Sequence, residues 1–150
     1  MIDTAILKAQ LAKLPINPEN AAAFYQHAFT VAAETRKFFK GAENLAPEDV
    51  AKTKRFSRGG QRFIFSMHMV VHLANEDDLF DFYITDVMDR HTGFGLPPDI
   101  YDIPFHNVWY SFLEQKVGMS EVERREWEKI RYQKLLPAIR KNLKGWMGDA

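Results

Sequence analysis

The sequence contains no cysteine, carries no net charge and has no long run of apolar residues. The absence of cysteine excludes disulfide bonds, thiolate metal sites and a cysteine nucleophile. Lysine plus arginine equals aspartate plus glutamate, at 20 each, so the chain lacks the basic excess typical of proteins that bind nucleic acid or anionic membranes. No segment approaches the about 20 apolar residues that cross a bilayer. We therefore expect neither nucleic acid nor a membrane as a partner.

The length and overall composition indicate one globular domain. A chain of 150 residues is long enough to enclose a hydrophobic core, and we predict a single domain covering residues 1–150. Apolar residues make up 46% and charged residues 27%, which is the balance of an ordinary globular protein. The first residues lack the apolar stretch of a secretory signal, so we expect a cytoplasmic location.

Aromatic residues are the one abundant class. They form 13% of the chain, and twelve of them are phenylalanines spread along its length. Two interpretations follow, and composition alone leaves both open. The phenylalanines either fill a helical core or surround a flat apolar ligand that needs flat neighbours.

Turn residues and hydrophobic spacing predict an all-α fold. The sequence contains no sustained alternation of apolar and polar residues and no Asn-Gly or Asp-Gly turn, so no strand is predicted. Six helices are predicted, over about residues 3–13, 18–40, 47–74, 77–91, 99–118 and 120–144. The second is expected to bend near Ala33. The start of the fifth is placed only between residues 99 and 104. Ser120 and Glu123 have the spacing of a capping box at the start of the last helix. Pro137 is expected to kink that helix, because an interior proline removes a hydrogen bond.

The third predicted helix carries one apolar stripe. At 100° per residue, the positions that fall within about 60° of Phe63 are Phe56, Gly59, Gly60, Phe63, Met67, Val70 and Ala74. The positions nearly opposite are Gln61, Phe65, His68 and His72. Two adjacent glycines inside a helix cost about 1 kcal/mol each relative to alanine. A helix that keeps them on its buried face needs the space for a close helix crossing or for a bulky ligand.

Taken in order, short segments of the chain resemble the globin family, most closely its nematode branch. The resemblance runs from about residue 20 to the final helix and rests on Phe24-Tyr25, Arg36 to Lys40, Pro47 to Val50, Arg55 to Arg62, Asp89 to His91, Pro97-Pro98 and Trp127. It implies a globin fold of about six to eight helices around one haem. The implied cofactor is haem b, which is iron protoporphyrin IX.

The resemblance also assigns roles to individual residues. His91 corresponds to the proximal histidine, which is the protein ligand of the iron. Phe39 corresponds to the phenylalanine that stacks on the haem, and Tyr25 to the distal tyrosine that holds the bound gas in many invertebrate globins. Phe63 corresponds to the apolar residue over the iron, and Arg62 to the basic residue that reaches a haem propionate.

Gly59 departs from the family pattern. It occupies the distal position, where most globins have histidine and nematode globins often have glutamine. A register shifted by two residues would place Gln61 there instead. Gln61 points about 160° away from Phe63 on a helix, so we predict that Gly59 is the distal residue. The next residue, Gly60, corresponds to a family glycine at which two helices cross closely.

Further haem contacts are predicted around the end of the fourth helix. A backbone carbonyl one turn before His91, that of Val87 or a neighbour, would accept the other ring N–H and fix the imidazole. Without the resemblance, a histidine here is explained as a residue that interacts with the helix dipole. Phe94 is predicted to pack on the haem. Additional candidates for haem contacts are Ile103, Phe105 and Val108.

The function that the resemblance implies is reversible binding of O2 or a similar diatomic gas at a five-coordinate ferrous haem. Tyr25 would be the hydrogen-bond donor, since Gly59 offers none. The alternatives are a haem-based redox enzyme (NO dioxygenase, nitrite reductase or weak peroxidase) and a gas sensor. A peroxidase normally needs a distal acid–base group, which favours gas binding here. A reductase is a candidate partner, and both a monomer and a homodimer remain open.

His68 and His72 have the i, i+4 spacing of a helical metal pair. They lack an evident third ligand and lie away from the apolar stripe. The simpler interpretation is a solvated pair or a pair at an interface.

Overall fold

The computed structural model describes residues 1–102 and 108–147, and over these ranges the regular structure is entirely helical. The α-helices are α1 (Thr4–Leu11), α2 (Pro18–Val31), α3 (Lys54–Leu73), α4 (Asp77–Asp89), α5 (Tyr110–Lys116), α6 (Glu121–Lys129) and α7 (Leu136–Met147). Short 3-10 segments cover Ala33–Phe38, Pro47–Lys52, Thr92–Phe94 and Pro98–Tyr101, and a π-helical segment covers Ile130–Leu135. The predicted all-α architecture is confirmed. Among the described residues, no helix combines the length and the apolar character that a bilayer span requires.

Two helix starts follow directly from their local sequence. The Asn17 side chain accepts a hydrogen bond of 2.8 Å from the backbone N–H of Asn20, and Pro18 opens α2. At α6 the Ser120 hydroxyl accepts from the Glu123 N–H, and the Glu123 carboxylate accepts from the Ser120 N–H. The predicted capping box is therefore present.

Two predicted helices are interrupted where threonine hydroxyls bond to the backbone. The helix predicted over 18–40 with a bend near Ala33 is broken at that bend, because α2 ends at Val31 and a 3-10 segment begins at Ala33. The prediction over 47–74 was wrong, because Thr53 has extended backbone between a 3-10 segment and α3. Thr35 and Thr53 each donate to the carbonyl three residues earlier, at 2.7 and 2.9 Å. These short side chains compete with the regular α-helical pattern.

The last two predicted helices also differ from expectation. The fifth begins as an α-helix only at Tyr110, and residues 98–101 form a separate 3-10 segment. The sixth stays helical but widens into the π-helical segment just before Pro137. A proline cannot donate the usual hydrogen bond, and the irregularity lies in the turns before it.

α3 packs against α1, α2 and α4, and it crosses α2 at Gly60. A Cβ atom on Gly60 would lie 2.6 Å from the carbonyl oxygen of Ala21 and 2.7 Å from its Cα, so only a hydrogen atom fits. The close crossing expected at Gly60 is confirmed. The buried residues of α3 are Phe56, Gly60, Ile64, Met67, Val70 and Val71. The buried face is turned from the predicted stripe toward Ile64 and Val71, whereas Gly59 and Phe63 are only half-buried.

α4 carries His91 just beyond its last turn. Its buried face consists of Phe80, Ile84 and Met88, which fix the helix against the core. His91 keeps helical backbone angles, and the 3-10 segment Thr92–Phe94 follows it. Gly95 ends that segment with φ of +63°, a conformation that favours glycine.

Candidate functional site

The His91 imidazole is oriented by a hydrogen bond to α4. Its Nδ1 lies 2.8 Å from the carbonyl oxygen of Val87. A carbonyl only accepts hydrogen bonds, so Nδ1 carries a proton, and in the neutral ring Nε2 is the nitrogen with the lone pair. This is the tautomer in which Nε2 ligates a metal. Of the candidate carbonyls one turn before His91, that of Val87 is the one that orients the ring.

Aromatic side chains surround this imidazole. The Phe94 ring lies 5.6 Å from the His91 ring between centroids, and the Tyr101 ring lies 6.1 Å away. Phe94 is 65% exposed, so it offers flat apolar surface beside the oriented imidazole. Among the additional candidates Val108 is buried, whereas Ile103 and Phe105 lie outside the described residues. We call His91, Val87 and Phe94 the histidine group.

A second group of predicted residues meets where α2 passes α3. The Tyr25 ring packs against the rings of Phe39 and Phe56, with centroid distances of 5.6 and 5.0 Å. A Cβ atom on Gly59 would lie 3.5 Å from Cε2 of Tyr25 and 3.6 Å from its hydroxyl oxygen. The Tyr25 hydroxyl thus lies against α3 at the residue that lacks a side chain. We call Tyr25, Phe39 and Gly59 the tyrosine group.

The Tyr25 hydroxyl stays protonated under ordinary conditions. Burial raises the pKa of Tyr25 from 10.0 to about 12, and the positive charge of Arg55 opposes the shift only in part. No residue in the described part of the chain forms a hydrogen bond with this hydroxyl. It is therefore a neutral donor that is available to a ligand.

The raised pKa of Tyr25 predicts a pH-dependent stability. A folded-state pKa above the unfolded value means that the contribution of Tyr25 is fully present below pH 10 and is lost as the pH rises toward 12. The loss is expected to reach up to about 1.4 kcal/mol per pH unit in that window. Denaturant unfolding across this range should show a shallower decline for Tyr25→Phe than for the wild type. Tyr132→Phe, at a position that is 58% exposed, should follow the wild type. Equal slopes for wild type and Tyr25→Phe would contradict the raised pKa of Tyr25.

The structure separates Gln61 from the tyrosine group. The Gln61 side chain turns back along its own helix and donates to the Ser57 carbonyl at 3.2 Å. Phe63 stacks on Phe24 with a centroid distance of 4.3 Å. Arg62 is exposed, and no ion pair joins it to another residue in the described ranges. These placements agree with Gly59 rather than Gln61 beside Tyr25.

Arg55 also belongs to this region, although no individual role was predicted for it. Its guanidinium lies 5.3 Å from the Phe56 ring centroid and 5.9 Å from that of Phe39. It also donates to the Lys40 carbonyl at 2.6 Å. These contacts attach the loop after Phe39 to α3. Its position next to the buried Phe56 is the only signal in the sequence that could have indicated this role.

The chemistry of the two groups fits a haem. Over the described residues, no cluster of three or more His, Cys, Asp or Glu side chains could hold a metal ion. A single oriented imidazole instead suits an iron whose other ligands come from a flat macrocycle. Phe39 and the exposed Phe94 supply flat apolar surface for such a group, and Tyr25 supplies a donor.

The sequence pattern of the globin family matches residues 22–134. The chain belongs to the globin family. Myoglobin of Nippostrongylus brasiliensis is 37% identical over 107 residues, which is 71% of this chain and 69% of that protein. The cuticular globin isoform of the same nematode is 37% identical over 98 residues, which is 65% of this chain and 57% of that globin's own length.

The fold agrees with a solved globin structure. The globin-like protein GLB-1 of C. elegans superposes with a TM-score of 0.85, at 24% identity and over 97% of this chain and 96% of that one. The predictions of a globin fold and of a nematode-type globin are confirmed. As a globin the chain is a haem-binding protein.

Proposed function

We propose that this globin reversibly binds O2 or a similar diatomic gas at a five-coordinate ferrous haem b. His91 is the axial ligand in this proposal, and Tyr25 donates a hydrogen bond to the gas. When bound, the haem supplies the iron atom at which the gas binds and dissociates. The observation that carries the proposal is the Tyr25 hydroxyl, which lies against Gly59 with no partner among the described residues.

In this proposal different residues hold the iron, the faces of the macrocycle and a propionate. His91 presents Nε2 because Val87 holds the other ring nitrogen. Phe39 and Phe94 are assigned to the faces of the macrocycle, and the exposed Arg62 to a propionate, whose negative charge an arginine suits. This assignment also agrees with the exposed position of Phe94, which an apolar ligand would cover.

The five-coordinate state is supported by the positions of the other histidines. His27 Nε2 lies 2.6 Å from the Ser111 hydroxyl, and His68 Nε2 lies 3.3 Å from the Leu14 carbonyl oxygen. His72 is exposed on α3. His106 lies outside the described residues. Each of the three described side chains is engaged or faces away from the tyrosine group, so none of them competes with the gas.

The high pKa of Tyr25 favours gas binding over peroxidase chemistry. A general acid–base catalyst works best when its pKa is near the operating pH. Tyr25, with a pKa of about 12, is far from neutrality. The hydroxyl therefore suits donation of a hydrogen bond and not transfer of a proton. A cytoplasmic location and a reductase partner stay predictions from the sequence.

Replacing Tyr25 by phenylalanine tests the proposal. The Tyr25→Phe variant is expected to release O2 at least about tenfold faster, because a hydrogen bond to a partly charged acceptor contributes about 1.5–3 kcal/mol. The measurement is stopped-flow O2 dissociation from the ferrous protein. The ferrous ligand-free spectrum of the wild type should show a high-spin, five-coordinate haem.

A matched variant tests whether a faster O2 dissociation rate comes from the Tyr25 hydroxyl or from the loss of any tyrosine hydroxyl. Tyr132→Phe removes a tyrosine hydroxyl from an exposed position in the π-helical segment and should leave the rate unchanged. An unchanged rate in Tyr25→Phe, with normal haem absorbance, would show that Tyr25 is not the donor. A low-spin ligand-free spectrum would contradict the five-coordinate state.

A further inference from the structure

Arg131 is a charged side chain that the fold buries almost completely. It lies in the π-helical segment and is 4% exposed. Its Nε donates to Oδ1 of Asp102 at 3.0 Å, and its Nη2 donates to Oδ2 at 2.8 Å. Two parallel bonds to one carboxylate make a strong pair of defined geometry. Another nitrogen, Nη1, lies 3.5 Å from the Glu128 carboxylate. Because an unpaired charge is costly to bury, this guanidinium holds Asp102 closely in place.

Asp102 ends the part of the chain that follows His91. We call residues 92–102 the post-histidine segment. It contains two short 3-10 turns and no α-helix. The N–H groups of Phe94 and Ile100 each bond to a carbonyl three residues earlier, both at 3.1 Å. Such local bonds shape the segment but do not attach it to another helix. The ion pair makes that attachment, since it joins the end of the segment to the π-helical segment.

A cleft lies between the post-histidine segment and α7. Its volume is about 350 Å³. It is lined by Pro98 and Tyr101 of the segment and by Leu136, Ile139 and Leu143 of α7. At this place apolar packing contributes less than it would in a closed core. The ion pair therefore carries more of the attachment.

Tyr101 connects the ion pair to the His91 imidazole. It directly precedes Asp102, and its ring lies 6.1 Å from the His91 ring between centroids, with 69° between the ring planes. This is the geometry of an edge-to-face contact, which favours one orientation of the two rings. The hydrogen bond of 2.8 Å between Nδ1 and the Val87 carbonyl oxygen fixes one atom of the imidazole but permits a tilt of its plane. The contact with Tyr101 limits that tilt.

We propose that Arg131 is a positioning residue for the proximal histidine, because its ion pair with Asp102 holds Tyr101 against the His91 ring. The inference rests on the proposed function, in which His91 binds the iron. The lone pair of Nε2 lies in the plane of the imidazole, so the plane decides how well that nitrogen can bond to a metal. Arg131 acts through Asp102 and Tyr101 and not by contact with the iron.

Resonance Raman spectroscopy of the ferrous, ligand-free protein tests the proposal through the iron–histidine stretching band. Asp102→Asn keeps the shape of the side chain but removes its charge, and it is expected to shift or broaden this band. Arg131→Lys keeps the positive charge but cannot make two parallel bonds, so an intermediate change is expected. Haem affinity of Asp102→Asn, measured by Soret titration, should fall about tenfold, which is the lower end for residues that orient a metal ligand.

Lys134→Met is the matched control. Lys134 lies in the same π-helical segment, and its Nζ is 2.7 Å from Oδ1 of Asp77, at the end of α4 that is far from His91. Loss of this ion pair disturbs the same segment without involving the post-histidine segment. The band and the haem affinity should therefore keep their wild-type values. If Lys134→Met changes the band as much as Asp102→Asn does, the effect is a general one and the proposal is wrong.

A double-mutant cycle tests whether the ion pair acts through Tyr101. Tyr101→Leu removes the ring and should change the band by itself. Adding Asp102→Asn should then have little further effect, because the contact that the ion pair holds in place is already lost. Additive changes would refute the action through Tyr101.

The same spectra separate this inference from the proposed function. A wild type without an iron–histidine band would contradict His91 as the iron ligand and would overturn both. A normal wild-type band that Asp102→Asn leaves unchanged would overturn the role of Arg131 alone.

Discussion

Replacement of His91 by alanine is expected to lower haem affinity more than about 100-fold, because loss of an outer-shell partner alone costs about 10- to 100-fold in metal affinity. The expectation follows from the single oriented imidazole. The Val87 carbonyl binds Nδ1, which leaves Nε2 as the ring nitrogen that can ligate a metal. The described part of the chain offers no cluster of side chains that could replace it as a metal site.

The measurement is a titration of the protein with haem, followed by the Soret absorbance. His72→Ala removes an exposed histidine from α3 and should bind haem as the wild type does. Added imidazole should restore the absorbance of the His91→Ala variant, since the free base can occupy the space of the lost ring. If His91→Ala keeps the wild-type spectrum without imidazole, the iron ligand is another residue.

Features that depend on neighbouring residues in the chain could be predicted from the sequence. The Ser120–Glu123 capping box and the bond between His91 and Val87 both connect residues within one turn of a helix. Helical geometry fixes such distances before any tertiary contact forms. The same reason explains why the overall all-α pattern was correct.

The interruption at Thr53 could not be predicted, and the one after Val31 was predicted only as a bend near Ala33, because two local preferences compete at both places. Thr35 and Thr53 are compatible with a helix, and the apolar spacing continues through both. Their hydroxyls bond to carbonyls three residues earlier and so stabilise the tighter 3-10 form. Only the packed structure determines which of the two preferences prevails.

The contacts of the tyrosine group could not be predicted from local sequence for a different reason. Tyr25 and Gly59 are far apart in sequence, and only the family resemblance indicated that they share a site. Arg55 was missed because its contacts require the loop at Lys40 to fold back on α3. A cation that stacks on aromatic rings leaves no spacing pattern in a sequence. Long-range contacts of this kind become visible only in the folded chain.

The adjacent glycines of α3 should respond in opposite directions to the same substitution. Gly60→Ala is expected to destabilise the protein by about 2 kcal/mol. Overpacking typically costs about 1–3 kcal/mol, and here the added methyl group meets rigid backbone. The better helix propensity of alanine offsets about 1 kcal/mol of that cost. The clash is with the carbonyl oxygen and Cα of Ala21, at 2.6 and 2.7 Å. These atoms move only if the two helices separate.

Gly59→Ala provides the matched control one residue away. Its methyl group would lie 3.5 Å from the Tyr25 ring, an ordinary contact, so the gain in helix propensity of about 0.5–1 kcal/mol should remain. Denaturant unfolding of both variants with equal haem loading gives the comparison. A Gly60→Ala variant as stable as Gly59→Ala would mean that α2 and α3 do not meet as closely as described. If Gly60→Ala lowers the free energy of unfolding and Gly59→Ala raises it, the two glycines have different roles. Gly60 then permits the helix contact, and Gly59 leaves space beside Tyr25.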